Sequence, residues 1–195
     1  MGYSQAQKSE SRKRVLDTAA RQIRENGIKA LGLADCMRNA GLTHGAFYGH
    51  FESRDALIAA AVEHALLQGK ARFQARDKHS QNVAAEAESP LKTIADVYLN
   101  EEHADNPGNG CALCALAGDA GHADANVKAL YTGSLRPLAE RVAKASANGT
   151  DGLAIVATIV GAITLARAVD DPALAKSILD SAHALVMTQD IAENP

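Results

Sequence analysis

Apolar positions recur at helical spacing from one end of the chain to the other, and strand-like alternation of useful length is absent. Residues 1–8 read as a disordered lead. Leu16, Ala19, Ala20 and Ile23 share one face of a helix over 10–25, with Arg12, Lys13 and Arg24 on other faces. Asn26-Gly27 is a stop signal, because both residues tolerate left-handed backbone angles. A short helix follows over 33–39, ended by Gly41, and another over 44–50. Thr43 can cap that third helix, and Leu42 can pack on Phe47 as a hydrophobic staple. A fourth helix starts after Ser53 and runs to about residue 78; residues 79–89 are polar and read as loop. Helix resumes at Pro90, a suitable first-turn residue. The run NPGNG at 106–110 is a strong breaker. Further helices fit 111–121, 125–147, 152–169 and 172–188, with Asn148-Gly149 separating two of them and Asp171-Pro172 starting the last. The expectation is an all-α chain of about nine helices, without internal repeats or low-complexity tracts.

Composition sharpens this. The chain has 195 residues, enough for a small domain joined to a larger one. Alanine is abundant and aromatics are few, which favours helix over sheet. Charge is unevenly spread. Residues 1–76 hold 12 Lys/Arg against 7 Asp/Glu, leaving 8 against 16 for the rest. A basic front and an acidic rear fit a polyanion-binding head on a body that does not bind polyanions. Three cysteines suggest no disulfide framework. The polar N-terminus lacks a signal-peptide core, and the apolar stretch 152–166 is too short and alanine-rich to span a bilayer. The expectation is a soluble cytoplasmic protein with no membrane partner and no cofactor.

The informative region is 10–66. The helices at 33–39 and 44–50 flank Ala40-Gly41-Leu42-Thr43, the layout of a helix-turn-helix. Leu33, Cys36, Met37, Leu42, Phe47 and Phe51 can close a small core with Leu16, Ile23 and Ile28. The opposite face of the third helix then offers Thr43, His44, Gly45 and Tyr48 to solvent. Small residues there admit a close approach to a major groove. Thr can meet a thymine methyl or a phosphate, and His and Tyr can donate to a phosphate or a base edge. Arg54 can hold the flanking backbone, as can Arg12, Lys13 and Arg14, whose alternative is a solvated face. His50 can meet a phosphate or cap its own helix.

The segment 15–57, and within it AGLTHGAFYGHFESRDAL, resembles the DNA-binding domain of the TetR family of regulators almost position for position. The resemblance implies a DNA-binding domain over 1–52 and a ligand-binding and dimerisation domain over 53–195. It also implies an Ω-shaped homodimer built on the last two long helices, and a repressor released from a palindromic operator in double-stranded DNA by a small-molecule effector. Thr43, His44, Gly45, Tyr48, His50 and Arg54 are the implied DNA-binding residues. Two positions depart from the family pattern. Gly32 stands where a capping Ser or Thr usually touches a phosphate, and His44 stands where Lys is common. The rest of the chain resembles the family only in length and helical character.

In the rear half, Leu153, Val156, Ile159, Val160, Ile163 and Leu165 on one helix and Leu174, Ile178, Leu179, Leu185 and Val186 on the next are read as the dimer interface, the alternative being an internal core. Phe73, Tyr98, Cys111, Cys114, His122 and Tyr131 are candidate effector-lining or sensing residues. Cys111 and Cys114 form a C-x-x-C at a predicted helix start, where a thiol pKa can fall. Electrophile sensing, plain packing, and a metal or disulfide pair are the three readings; no second Cys/His pair stands at zinc spacing, so no metal site is expected. No catalytic constellation, phosphate loop or cofactor fingerprint is present, so no enzyme is expected. Thiol-based redox chemistry at Cys111/Cys114 and a TetR-like activator are the alternatives.

Overall fold

The computed structural model describes residues 5–83, 89–146 and 151–190, and their side chains outside 72–83. Nine α-helices follow one another: α1 (Gln5–Asn26), α2 (Leu33–Asn39), α3 (Arg54–Val83), α4 (Pro90–Tyr98), α5 (Glu101–Asp105), α6 (Ala112–His122), α7 (Ala125–Ala145), α8 (Gly152–Ala168) and α9 (Pro172–Thr188). Two 3-10 helices, His44–Gly49 and Pro107–Asn109, complete the described elements, and no strand occurs among them. The all-α expectation therefore holds.

Local chemistry explains most boundaries. Ser53 Oγ accepts from the Ala56 amide at 3.0 Å and opens α3. Ser89, Asp124, Asp151 and Asp171 each accept from first-turn amides of α4, α7, α8 and α9, and Pro90 and Pro172 occupy first-turn positions. Each such cap stabilises by about 1 kcal/mol. Three boundaries differ from the sequence reading. The lead expected at 1–8 is helical from Gln5, and the loop expected at 79–89 is helical to Val83. Neither 5–8 nor 79–83 contains Gly or Pro, so nothing in them stops the adjoining helix. The short α5 was not expected; Asn100 creates it by accepting from the His103 amide while its own amide closes α4 on the Asp96 and Val97 carbonyls. The break at Asn148-Gly149 lies outside the described residues.

Two cores result. The first gathers Val15, Ala19, Ile23, Cys36, Met37, Phe47 and Phe51 with Leu57, Ala61 and Val62 of α3, and extends to Leu113 and Leu116 of α6. Fully burying a side chain such as Phe47 stabilises by about 1.5–3 kcal/mol. The second packs α4, α7, α8 and α9 through Leu91, Val142, Ile155, Ile159, Ile163 and Leu179. Helix α6 lies between them: Leu116 faces the first core and Cys114 the second.

This packing divides the apolar set read as a dimer interface. Val156, Ile159, Ile163, Leu179 and Val186 are buried inside the subunit, whereas Leu153, Leu165, Leu174 and Leu185 are exposed. Val160 and Ile178 are half-buried. Helix α8 is apolar nearly all round, so periodicity alone does not separate its two faces.

Candidate nucleic-acid interface and adjoining cavity

The helix-turn-helix turns at an exposed glycine, Gly41. Helix α2 starts at Gly32, which supplies no side-chain cap. Gly41 then turns the chain with a φ of 72°, a conformation that favours glycine. The next element is a 3-10 helix and not the α-helix periodicity suggests. Its ladder closes three residues back, Ala46 N to Thr43 O at 3.1 Å and His50 N to Phe47 O at 2.8 Å. Six residues that include Gly45 and Gly49 have little α propensity. Thr43 is its N-cap, but its hydroxyl makes no capping hydrogen bond.

Phe47 anchors this element in the core, stacked on Phe51 at 5.8 Å. Thr43, His44, Gly45 and Tyr48 all face solvent, Tyr48 with 71 % of its surface exposed. His50 is half-buried, and its Nδ1 has no hydrogen-bond partner. Burial, then the charges of Lys8 and Arg12, hold the His50 pKa below its ordinary value. Arg12 lies over the Phe51 ring at 4.8 Å. Lys8 and Arg12 thus place positive charge beside the 3-10 helix. Lys8 was missed by the sequence reading because it fell in the supposed lead. Arg54 donates from Nη2 to the Lys29 and Leu31 carbonyls, 3.2 Å each, which fixes the α1–α2 loop.

Two polar ties join this head to the rest of the chain. The buried Arg24 donates from Nε to the Gly108 carbonyl at 2.7 Å and from Nη1 to Gln68 at 3.0 Å. Gln68 in turn donates to Asp17 at 2.8 Å, which His64 also meets at 2.7 Å. The second tie runs from the Ile28 amide to Asp119 of α6 at 3.0 Å. On the other side of the same turn, Arg167 of α8 donates to the Ala104 and His103 carbonyls at 2.8 Å. The segment 103–110 is therefore held between α1 and α8.

Beyond that turn lies a cavity of about 360 Å³ between α3, α4, α6 and α7. Leu66, Leu67, Leu113, Pro137 and Leu138 form its apolar wall; Tyr98, Cys111, Ser134, Lys70 and Arg141 supply the polar groups. Cys111 is half-buried at the N-cap of α6, and Cys114 is buried one turn on. The hydrogen bond from the Cys114 thiol, aided by the Leu113 and Cys114 amides and the Tyr98 hydroxyl, overcomes burial and holds the Cys111 pKa down to about 6. The same hydrogen bond, together with burial, pushes Cys114 well up. The two shifts run in opposite directions, so Cys111 is the thiol of the pair that ionises first. Cys36 is buried in the first core and pushed up to about 11.

Not every expected lining residue is at the cavity. Tyr98 and Cys111 line it, whereas Cys114 faces a small adjoining void with Ile94 and Val156. His122 is exposed at the far end of α6, a full helix length from Cys111, and is withdrawn as a lining residue. Tyr131 packs against the first core and donates to the Leu113 carbonyl at 2.9 Å, so it braces the cavity wall from behind. The side chain of Phe73 lies outside the described residues. Lys70, Ser134 and Arg141 were missed, since single polar residues on a helix carry no sequence signal for what they face.

No helix of the described residues is long and apolar enough to cross a membrane. Among them, no group of three or more His, Cys, Asp or Glu side chains is placed to hold a metal ion.

Comparison with known proteins bears on the same two regions. Residues 15–61 match the family model for bacterial regulatory proteins of the TetR family. No curated protein matches the chain. Among solved structures, a TetR-family transcriptional regulator from Cytophaga hutchinsonii superposes with a TM-score of 0.74 at 18 % identity, covering 99 % of this chain and 100 % of that one. A TetR transcriptional regulator from Chloroflexus aurantiacus gives 0.72 at 21 % identity, covering 94 % and 95 %. The reduced form of E. coli NemR gives 0.72 at 18 % identity, covering 95 % and 100 %. Residues 15–61 thus match the DNA-binding domain of the TetR family, with the helix-turn-helix at residues 33–49, and over its whole length the chain shares the fold of the TetR-family regulators it superposes on.

Proposed function

We propose that this regulator is a homodimeric repressor, released from a palindromic operator when a small molecule enters the cavity or an electrophile modifies Cys111. The observation that carries the reading is the place of Cys111. It lines the cavity and lies one residue beyond the Pro107–Gly110 turn, whose Gly108 carbonyl is held by Arg24 of the head.

In this reading Thr43, His44, Gly45 and Tyr48 meet base edges in the major groove, and His50 and Arg54 sit by flanking phosphates. The head is residues 1–52, and residues 53–195 bind the effector and the second subunit. The exposed faces of α8 and α9, with Leu153, Leu165, Leu174 and Leu185, pair across the dimer axis. The pairing forms the Ω-shaped assembly and sets two heads about 34 Å apart, one turn of DNA. An occupant that moves Cys111 shifts the 103–110 segment and with it Arg24, favouring a head spacing that no longer fits DNA. Only better binding to the DNA-incompetent state is needed.

The electrophile route follows from the thiol pair. The Cys111 sulfur adds to the β-carbon of an α,β-unsaturated carbonyl, a C–S bond forms and the C=C π bond breaks. The resulting enolate takes a proton from Cys114, which water then restores. No oxidant is required, and the reading assigns no catalytic turnover. A protein of this kind works in the cytoplasm, beside the DNA.

The test is operator binding by purified protein to the DNA upstream of its own gene, with and without N-ethylmaleimide. Binding that N-ethylmaleimide abolishes, and that persists when Cys111 and Cys114 are Ser, supports both parts. Binding unaffected by the reagent removes the electrophile route. Absence of specific binding to any operator recovered from a genomic selection refutes the repressor.

A further inference from the structure

We propose that Cys111 and Cys114 form a two-thiol chelate for a monosubstituted arsenic(III) compound, R–As(OH)2, whose apolar substituent R fills the cavity between α3, α4, α6 and α7. The inference rests on the effector reading above only in placing the effector at this cavity. The ligand differs in being held by both sulfurs at once.

The first argument is the number of thiols in reach. The Ala115 amide donates to the Cys111 carbonyl at 3.1 Å, so both cysteines stand in the first turn of α6. Side chains three residues apart on a helix have Cβ atoms about 5–6 Å from one another, near enough for one atom to bond both sulfurs. Cys36 lies elsewhere, buried in the first core. Among the described residues, no group of three His, Cys, Asp or Glu side chains is placed to hold a metal ion. A centre that takes two sulfurs and no more therefore matches. Tetrahedral zinc wants further protein ligands, and inorganic arsenite would keep one hydroxyl unreplaced.

The second argument is shape. Cys111 lines the cavity of about 360 Å³, whose wall includes Leu66, Leu113 and Leu138. Cys114 faces an adjoining void of about 10 Å³, walled by Ile94, Val142 and Val156. Cys111, Leu113 and Leu138 border both spaces, so Cys111 stands at their boundary. A void of that size holds about one water-sized group. A bulky group on Cys111 has no room to reach Cys114, but a single thiophilic atom does. With arsenic between the sulfurs, the larger apolar space is the place left for R. A bare two-coordinate soft ion would leave that space unused.

The chemistry needs no oxidant. Cys111, the thiol that ionises first, attacks arsenic as thiolate. One As–S bond forms, one As–O bond breaks, and the departing hydroxide takes the Cys114 proton and leaves as water. The Cys114 sulfur then displaces the second hydroxide, which is protonated by solvent. Arsenic stays trivalent throughout. The second As–S bond closes within one chain, at high effective concentration.

The probe is phenylarsine oxide, whose hydrate is the phenyl case of R–As(OH)2, added to the reduced full-length protein. Intact-mass spectrometry should find one phenylarsenic per chain with both oxygens lost as water. The adduct should block iodoacetamide at Cys111 and yield to 2,3-dimercaptopropanol more readily than to 2-mercaptoethanol. Cys114→Ser should weaken capture at least about a hundredfold, while N-ethylmaleimide still alkylates Cys111; melting curves check that the variant folds. On the wild type alone, phenylarsine oxide should bind at least about tenfold more tightly than methylarsonous acid, and arsenite should bind more weakly than either. An adduct that retains an As–OH group would overturn the proposal. So would wild-type affinity in Cys114→Ser, equal affinity of the phenyl and methyl compounds, or no adduct at equimolar reagent. Capture that leaves operator affinity unchanged would sustain this inference and refute the effector reading. Operator release by N-ethylmaleimide without arsenical capture would do the reverse.

Discussion

The Arg24 guanidinium, buried near the end of α1, donates to the Gly108 carbonyl at 2.7 Å across a sequence separation of 84 residues. It joins the helix that supports the DNA-binding head to the turn that leads into Cys111. Arg167 grips the same segment from α8. A displacement at the start of α6 therefore has a short, hydrogen-bonded route to the head.

Arg24→Ala should accordingly uncouple the two ends. The Gly108 carbonyl and Gln68 lose a charged donor, which costs about 2–3 kcal/mol of stability by chemical denaturation. Beyond that loss, whatever ligand or thiol reagent weakens operator binding in the wild type should weaken it by less than about twofold in the variant. Full coupling retained in Arg24→Ala would show that the route lies elsewhere, with the Ile28–Asp119 tie the next to test.

Tyr48 separates binding from folding. Its ring is 71 % exposed and meets Phe47 edge-on at 5.1 Å, whereas Phe47 carries the buried anchor. Tyr48→Ala should leave the stability nearly unchanged, within about 0.5 kcal/mol. Specific operator affinity should fall at least about tenfold, in line with roughly 1–3 kcal/mol for a base-edge contact. Phe47→Ala should instead unfold the head, at about 3–5 kcal/mol. Gel-shift titration beside thermal melting distinguishes the two variants.

The thiol pair makes alkylation pH-dependent in a stated direction. Cys111 is favoured as thiolate, with a pKa of about 6, because Cys114 donates to it. The iodoacetamide rate at Cys111 should rise as pH increases through about 6 and level off above it. Cys114→Ser keeps a weaker donor and should move that midpoint upward; Cys114→Ala removes the donor and should move it further. Cys36, buried and pushed up to about 11, should remain unlabelled in the native protein at neutral pH. Mass spectrometry of alkylated peptides reads all three sites. A midpoint near 8.5 in the wild type, the value of an unperturbed thiol, would contradict the pairing.

The last two helices offer a contrast between faces. Leu165 and Leu185 are 57 % and 55 % exposed. Leu165→Glu with Leu185→Glu should leave a folded chain that sediments as a monomer at micromolar concentration, if these faces pair as proposed. Ile163→Ala, at a fully buried position of the second core, should cost about 2–5 kcal/mol with no specific effect on association. A dimer that persists in the double Glu variant would move the interface elsewhere.

What the sequence determined by itself is what near neighbours decide. Helix starts at Ser53, Ser89, Asp124, Asp151 and Asp171 follow from side-chain oxygens within three residues of the amides they satisfy. The head core was legible because Leu16, Ile23, Cys36, Met37, Phe47 and Phe51 fall on inner faces of short, sharply bounded elements. The outward stance of Thr43, His44, Gly45 and Tyr48 follows from the same alternation of faces. The 3-10 winding of His44–Gly49 was less legible, since side-chain periodicity over six residues barely separates it from an α-helix. Tertiary structure decided the rest. On α8, apolar side chains point in every direction, and only packing against α7 and α9 shows that Ile163 faces inward and Leu165 outward. The cavity draws Lys70, Tyr98, Cys111 and Arg141 from four helices, none of which marks its residue as a lining group. Arg24 reads as one more charge on an exposed helix face until α3 and the Gly108 turn close over it. Helix formation and capping are local, so their signals lie in adjacent residues. A cavity or a long-range tie depends on which helices meet, and that is fixed by the total apolar area they bury together.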